Sequence, residues 1–84
     1  MNKTFEIGKV YFYSGAKTLY LQINPEFVMG DQYKQFHFMF LSKKEDTPDG
    51  ASFFYKILIL DHQKIGWFYR SDDEFLWKFI EPCQ

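Results

Sequence analysis

The groups in this chain that could carry chemistry are few. His37 and His62 are the two histidines, and Asp61 adjoins the second. Three ligands are the minimum for a protein-held zinc, so His37, Asp61 and His62 would make a cation site if two strands brought them together. Their spacing matches no metal motif. A histidine on a strand between Phe36 and Phe38 and one in a turn after Asp61 are both ordinary surface features. Asp72, Asp73 and Glu74 are neighbouring carboxylates of the kind used in acid–base catalysis. Such work needs a pocket that shifts their pKa. Ser71 with Glu74 three residues on is more simply a helix capping box, with Asp72 and Asp73 suited to the helix N-terminus. Cys83 is the one cysteine, so no internal disulfide forms, and no histidine stands beside it to activate the thiol. A Gly-rich phosphate loop, a nucleophile elbow and H-E-x-x-H are all absent. At 84 residues there is little room for a walled cavity of several hundred Å³. The expectation is a protein that is not an enzyme and uses no metal or other cofactor.

Binding chemistry is better represented. Aromatic residues make up 23% of the chain, as eleven Phe, six Tyr and two Trp. Each buried ring hides roughly 150–250 Å², and one small core can hardly enclose them all, so some rings should lie on the surface, where aromatic side chains mark contact sites. Trp67, Tyr69, Trp77, Tyr20 and Tyr55 are the candidates for a patch that docks a partner protein. Lysines interleave with the rings at Lys9, Lys17, Lys34, Lys56 and Lys64. Rings beside lysines are also how single-stranded nucleic acid is held, which is the alternative reading. The net charge of −1 and the single arginine, Arg70, weigh against it. Nucleic-acid affinity rests on neutralised phosphates, and guanine readout favours Arg. Aromatic anchors also suit the interface of a homodimer.

These side chains must be positioned by a small β-rich fold. Composition is ordinary for a globular chain, with 46% hydrophobic and 25% charged residues. One domain covering residues 1–84 is expected. Phe5–Tyr13 is rich in aromatic residues and reads as a strand. Thr18–Ile23 alternates, with Leu19, Leu21 and Ile23 on one face, and a hairpin around Ser14–Lys17 would pair it with the first segment. Asn24-Pro25 ends that strand, and Asn24–Asp31 reads as a loop closed by Gly30-Asp31. Gln32–Leu41 alternates again, with Phe36, Phe38 and Phe40 sharing a face. Ser42–Gly50 is the most polar stretch and reads as an exposed loop. Phe53–Leu60 is apolar on both faces except at Lys56, as in a central strand. It turns at Asp61–Lys64 into a strand over Ile65–Arg70. After that a short helical turn leads to a last strand, stopped by Pro82. The sum is a mainly β fold, a small antiparallel barrel or compact β-sandwich of five or six strands with at most one short helix.

The segment from Lys56 to Ile80 resembles the C-terminal end of bacterial SH3-type domains. In those domains a hairpin's second strand carries Gly-Trp, followed by a tight helical turn and a short strand, and Gly66-Trp67 stands in that place. The resemblance covers a quarter to a third of the chain and implies a small barrel that binds peptides, cell-wall fragments or nucleic acid. Fold alone does not choose among these.

The opening residues show no apolar run like that of a signal peptide. No stretch approaches 18 uninterrupted apolar residues, and a cytoplasmic protein without membrane contact is expected. Lys, Phe, Tyr and Ile are abundant and Ala and Arg scarce. That bias fits AT-rich codons, as in a low-GC bacterium or one of its phages, where a small domain of this kind would be an accessory or inhibitor protein.

Overall fold

The computed structural model describes residues 5–50, 52–71 and 78–83. Among the described residues there are seven strands, more than the five or six expected: β1 Val10–Tyr13, β2 Leu19–Asn24, β3 Phe27–Tyr33, β4 Phe36–Glu45, β5 Ser52–Ile59, β6 Lys64–Ser71 and β7 Ile80–Pro82. All pairings are antiparallel, and the strands form one sheet in the order β3-β2-β6-β5-β4-β1-β7. The fold is mainly β, as expected. A helical turn at Lys78–Phe79 leads into β7, and the proposed capping box at Ser71–Glu74 lies largely outside the described residues.

The sheet curls around its inner face. Tyr33, on β3 at one edge, meets the Phe36 ring of β4 at 5.9 Å although three strands separate them in the sheet. Side chains alternate across a strand, so Phe36, Phe38 and Phe40 all turn inward and are buried. Tyr55, Ile57 and Ile59 of β5 join them, with Leu21, Phe68, Tyr11, Tyr13 and Ile80 from the neighbouring strands. Phe5 closes one end of this core, its ring 4.8 Å from Tyr11 and 4.9 Å from Tyr55 in edge-on contacts. Aromatic pairs in such geometry add about 0.5–1.5 kcal/mol beyond the area they bury. The ring surplus thus goes largely into a core made of edge-to-face contacts.

Three local readings are corrected. The first two strands do not form a hairpin. β1 pairs with β4 and β7, and β2 pairs with β3 and β6. The residues between them fold over the Tyr13 ring instead of turning back. The Tyr13 hydroxyl donates to the Lys17 carbonyl at 2.7 Å, Gly15 lies so close to the ring that a Cβ would collide with it, and the Ser14 N–H is held by the Phe79 carbonyl at 2.7 Å. Secondly, Asn24–Asp31 is not a loop. Pro25 and Glu26 make a tight turn between Asn24 and Phe27, and the chain returns as β3. The Asn24 side chain accepts the Glu26 N–H at 2.9 Å, and the Gln22 amide donates to the Phe27 carbonyl at 2.7 Å. Gly30 serves a close approach and not a turn, since any Cβ there would strike the Leu21 backbone. Thirdly, β4 continues to Glu45, so the polar loop is shorter than its composition suggests. Lys43 and Lys44 belong to the strand, and the Lys43 ammonium sits 4.3 Å over the Phe53 ring.

Both sheet edges are unsuited to further pairing. β7 has three residues and ends in Pro82. β3 carries a bulge, with Val28 and Met29 opposite Ile23 where the register shifts. Short, proline-bearing and bulged edges resist edge-to-edge association.

Candidate docking face

Alternation that sends one set of side chains into the core sends the other set to the outer face. In the centre of the sheet this second set mixes apolar and aromatic side chains with a few polar ones. Met39, Leu58 and Ile65 form one row across β4, β5 and β6. Ser42, Lys56, Trp67 and Gln22 form the next, reaching β2. Lys44, Phe54 and Tyr69 form a third. The β2–β6 register, carried two residues further, sets Tyr20 level with Tyr69. Tyr69 is 48% exposed, and Tyr20 and Ile65 are each 43% exposed. Tyr69 presents its ring against the edge of Phe54 at 5.2 Å, and the Lys56 ammonium stands 5.5 Å from the centre of the half-buried Trp67 ring. Gly66 and Trp67 divide their roles: Gly66 faces inward and is buried, and Trp67 faces outward.

Of the five residues expected in a partner patch, Trp67, Tyr69 and Tyr20 share this face. Tyr55 does not. It is 7% exposed and packs inward against Phe40 and Phe68, because its place on β5 has the parity of Ile57 and not that of Lys56. Trp77 lies outside the described residues. The row of Met39, Leu58 and Ile65, together with Lys44, was missed. Their signal lies in the alternation of the two hairpin strands, where strand parity and not aromatic type sets the face.

The five candidate lysines are dispersed. Lys9 precedes β1 and pairs with Glu6 at 3.8 Å. Lys17 lies between β1 and β2, and Lys34 between β3 and β4. Lys64 opens β6 beside a cleft of about 330 Å³ that Asp31 and Tyr33 also line. Only Lys56 stands in the aromatic rows.

The imagined cation ligands separate as well. Asp61 accepts the His37 N–H at 3.3 Å and faces His37 Nδ1 at 3.2 Å, holding the imidazole against the Phe12 ring. His62 packs instead on Tyr33, 5.1 Å between ring centres. Among the described residues no three His, Cys, Asp or Glu side chains gather into a metal-binding group. No described helix is long and apolar enough to cross a membrane.

Compared with known proteins, the chain matches no family model, no curated protein and no solved structure.

Proposed function

We propose that this chain is a non-enzymatic protein-binding module that docks its partner on the outer face of β2, β6, β5 and β4. The observation that carries this reading is the contiguity of Trp67, Tyr69, Tyr20, Ile65, Leu58 and Met39 on the outer face of the sheet, with Tyr69, Tyr20 and Ile65 exposed and the other three half-buried among them. Aromatic anchors within an apolar field are the usual centre of a protein interface. Kinship with bacterial SH3-type barrels belongs to the same proposal and rests on the Gly66-Trp67 strand alone. So does the role of a small accessory or inhibitor protein from a low-GC bacterium or its phage, which rests on size and codon bias.

Trp67→Ala tests the docking face. An interfacial Trp typically contributes 2 kcal/mol or more, about a 30-fold change in affinity. The expected result is a defined protein, captured from host lysate in the presence of nuclease, that the variant no longer holds while its circular dichroism is unchanged. Equal capture by a folded Trp67→Ala protein defeats the reading. The alternative, single-stranded nucleic-acid binding, draws support from Lys56 beside Trp67. It requires retention on an oligonucleotide that falls steeply with salt.

A further inference from the structure

We infer that the partner presents an acidic segment, Asp or Glu side chains flanking an apolar or aromatic anchor, to the outer face. This deepens the docking proposal and rests on it.

The inference comes from the charges within the rows. The chain as a whole carries a net charge of −1. The rows from Met39–Leu58–Ile65 to Lys44–Phe54–Tyr69 contain two lysines, Lys44 and Lys56, and no carboxylate. Of the described acids nearby, Asp61 and Glu81 share the outer face but stand beyond the Met39 row, beside His37 and opposite Phe12. Glu45 has the inward parity of Phe53, Asp46 and Asp49 lie in the following loop, and Asp61 is engaged with His37. Neither Lys44 nor Lys56 forms an ion pair among the described residues. The two rows that hold Lys56 with Trp67 and Lys44 with Tyr69 are therefore cationic on a molecule that is anionic as a whole. Complementary charge steers association and suppresses wrong partners.

Lys56 has a more specific bearing. Its ammonium rests near the Trp67 ring, which strips water from one side and leaves its other donors open. A carboxylate arriving there makes a charge-assisted hydrogen bond in a partly dry setting, where such bonds are strong. Ile65 and Leu58, one row away, take the anchor. A base stacking on the same spot has to displace the ammonium from the indole, and only two lysines are there to meet a phosphate chain. Peptide carboxylates flanking an apolar residue fit the surface better than nucleic acid does.

The test is selection from a random peptide library displayed on phage, using the intact chain as bait. The expected result is enrichment of Asp and Glu around Leu, Phe or Trp. With Lys44→Glu/Lys56→Glu as bait, the enrichment should turn toward Lys and Arg, and a wild-type-selected peptide should bind at least tenfold more weakly. Lys44 is exposed and Lys56 half-buried on the outer face, and neither belongs to the core cluster, so the variant should keep the fold, as its melting curve checks. Selected peptides without acidic enrichment, or acidic peptides that bind the double variant equally, overturn the inference. So does an oligo-dT that displaces the selected peptides. Trp67→Ala separates the two levels. If it abolishes binding of peptides that carry no acids, the docking face stands and the acidic partner falls. If it leaves every selected peptide bound, both fall.

Discussion

Replacing Gly66 by alanine sets two opposed effects against each other, and the surroundings decide the sign. Alanine restricts the unfolded chain more than glycine does, which in a strand favours the variant by roughly 0.5–1 kcal/mol. Against this, a Cβ at position 66 would lie 3.1 Å from Ile59 Cδ1 and 3.2 Å and 3.3 Å from Leu21 Cβ and Cδ1. Ile59 is 0% exposed within the core and Leu21 presses on the same side, so the crowding is relieved only if both side chains shift. Overpacking of a close-packed core costs about 1–3 kcal/mol. The cost wins, by about 1–2 kcal/mol. For a domain of this size that lowers Tm by roughly 5–15 °C, at 4–8 °C per kcal/mol. Thermal melts followed by circular dichroism measure it. Ile59→Val removes the nearest obstructing carbon and alone costs about 0.5–1.5 kcal/mol. Ile59→Val/Gly66→Ala should therefore be less destabilised than the sum of the single changes, by about 0.5 kcal/mol or more. A Gly66→Ala protein that melts at or above wild type, or strict additivity in the pair, would refute the reasoning.

Gly30→Ala should be harsher, at about 2 kcal/mol or more, because the obstacle is the Leu21 backbone, which cannot rotate away; urea midpoints of the variant and wild type give the number. Tyr55→Ala should cost about 3–5 kcal/mol and threaten folding, whereas Tyr69→Ala on the outer face should change Tm little; similar losses at the two sites would contradict the inward and outward assignment. Burial raises the Tyr13 phenol above its ordinary value of 10.0. The unfolded phenol then ionises before the folded one, so this group's contribution is intact below about pH 10 and is lost as the pH rises beyond it. Tyr13→Phe should lose about 0.5–1.5 kcal/mol at neutral pH, through the hydrogen bond to Lys17, and show a shallower alkaline decline; urea titrations between pH 8 and 11 distinguish the slopes. Gln63 holds φ 53° in the β5–β6 turn. Gln63→Gly should relieve about 1 kcal/mol of left-handed strain, offset in part by chain entropy, for a small net rise in Tm.

The strands that could be read from the sequence are those whose own pattern sufficed. Phe36, Phe38 and Phe40 turn inward together, and the β5–β6 hairpin falls where the apolar runs and the Asp61–Lys64 turn put it. β5, apolar on both faces, is the central strand of the sheet. What could not be read was set by distant partners. Nothing local to Val10–Tyr13 says that its neighbours are β4 and β7. Pro25 and Gly30 punctuate β3 as though it were a loop, yet one makes a tight turn and the other a bulge contact. Ile23 has the parity of Leu21 but is 63% exposed, because it faces that bulge beyond the end of the core. The outer face proposed for docking was legible as far as Trp67, Tyr69 and Tyr20. Tyr55 was misplaced because a tyrosine's polar tip says less about its surroundings than its position on the strand.

The place of β1 between β4 and β7 governs the order in which the native state can be assembled. The Ser14 hydroxyl and the Phe79 carbonyl, joined across this pairing, are 65 residues apart in the chain. At a synthesis rate of about 5–20 residues per second, β1 has left the ribosome for several seconds before β7 exists. During that interval the β4–β5–β6 hairpins can pair locally, but one side of β1 has no neighbour and the end of the core that Ile80 fills stays open to water. Completion of this sheet is thus a late event dominated by remote contacts, of the kind that proceeds in milliseconds to seconds. On these scales the wait for β7 is comparable to or longer than the pairing that follows it.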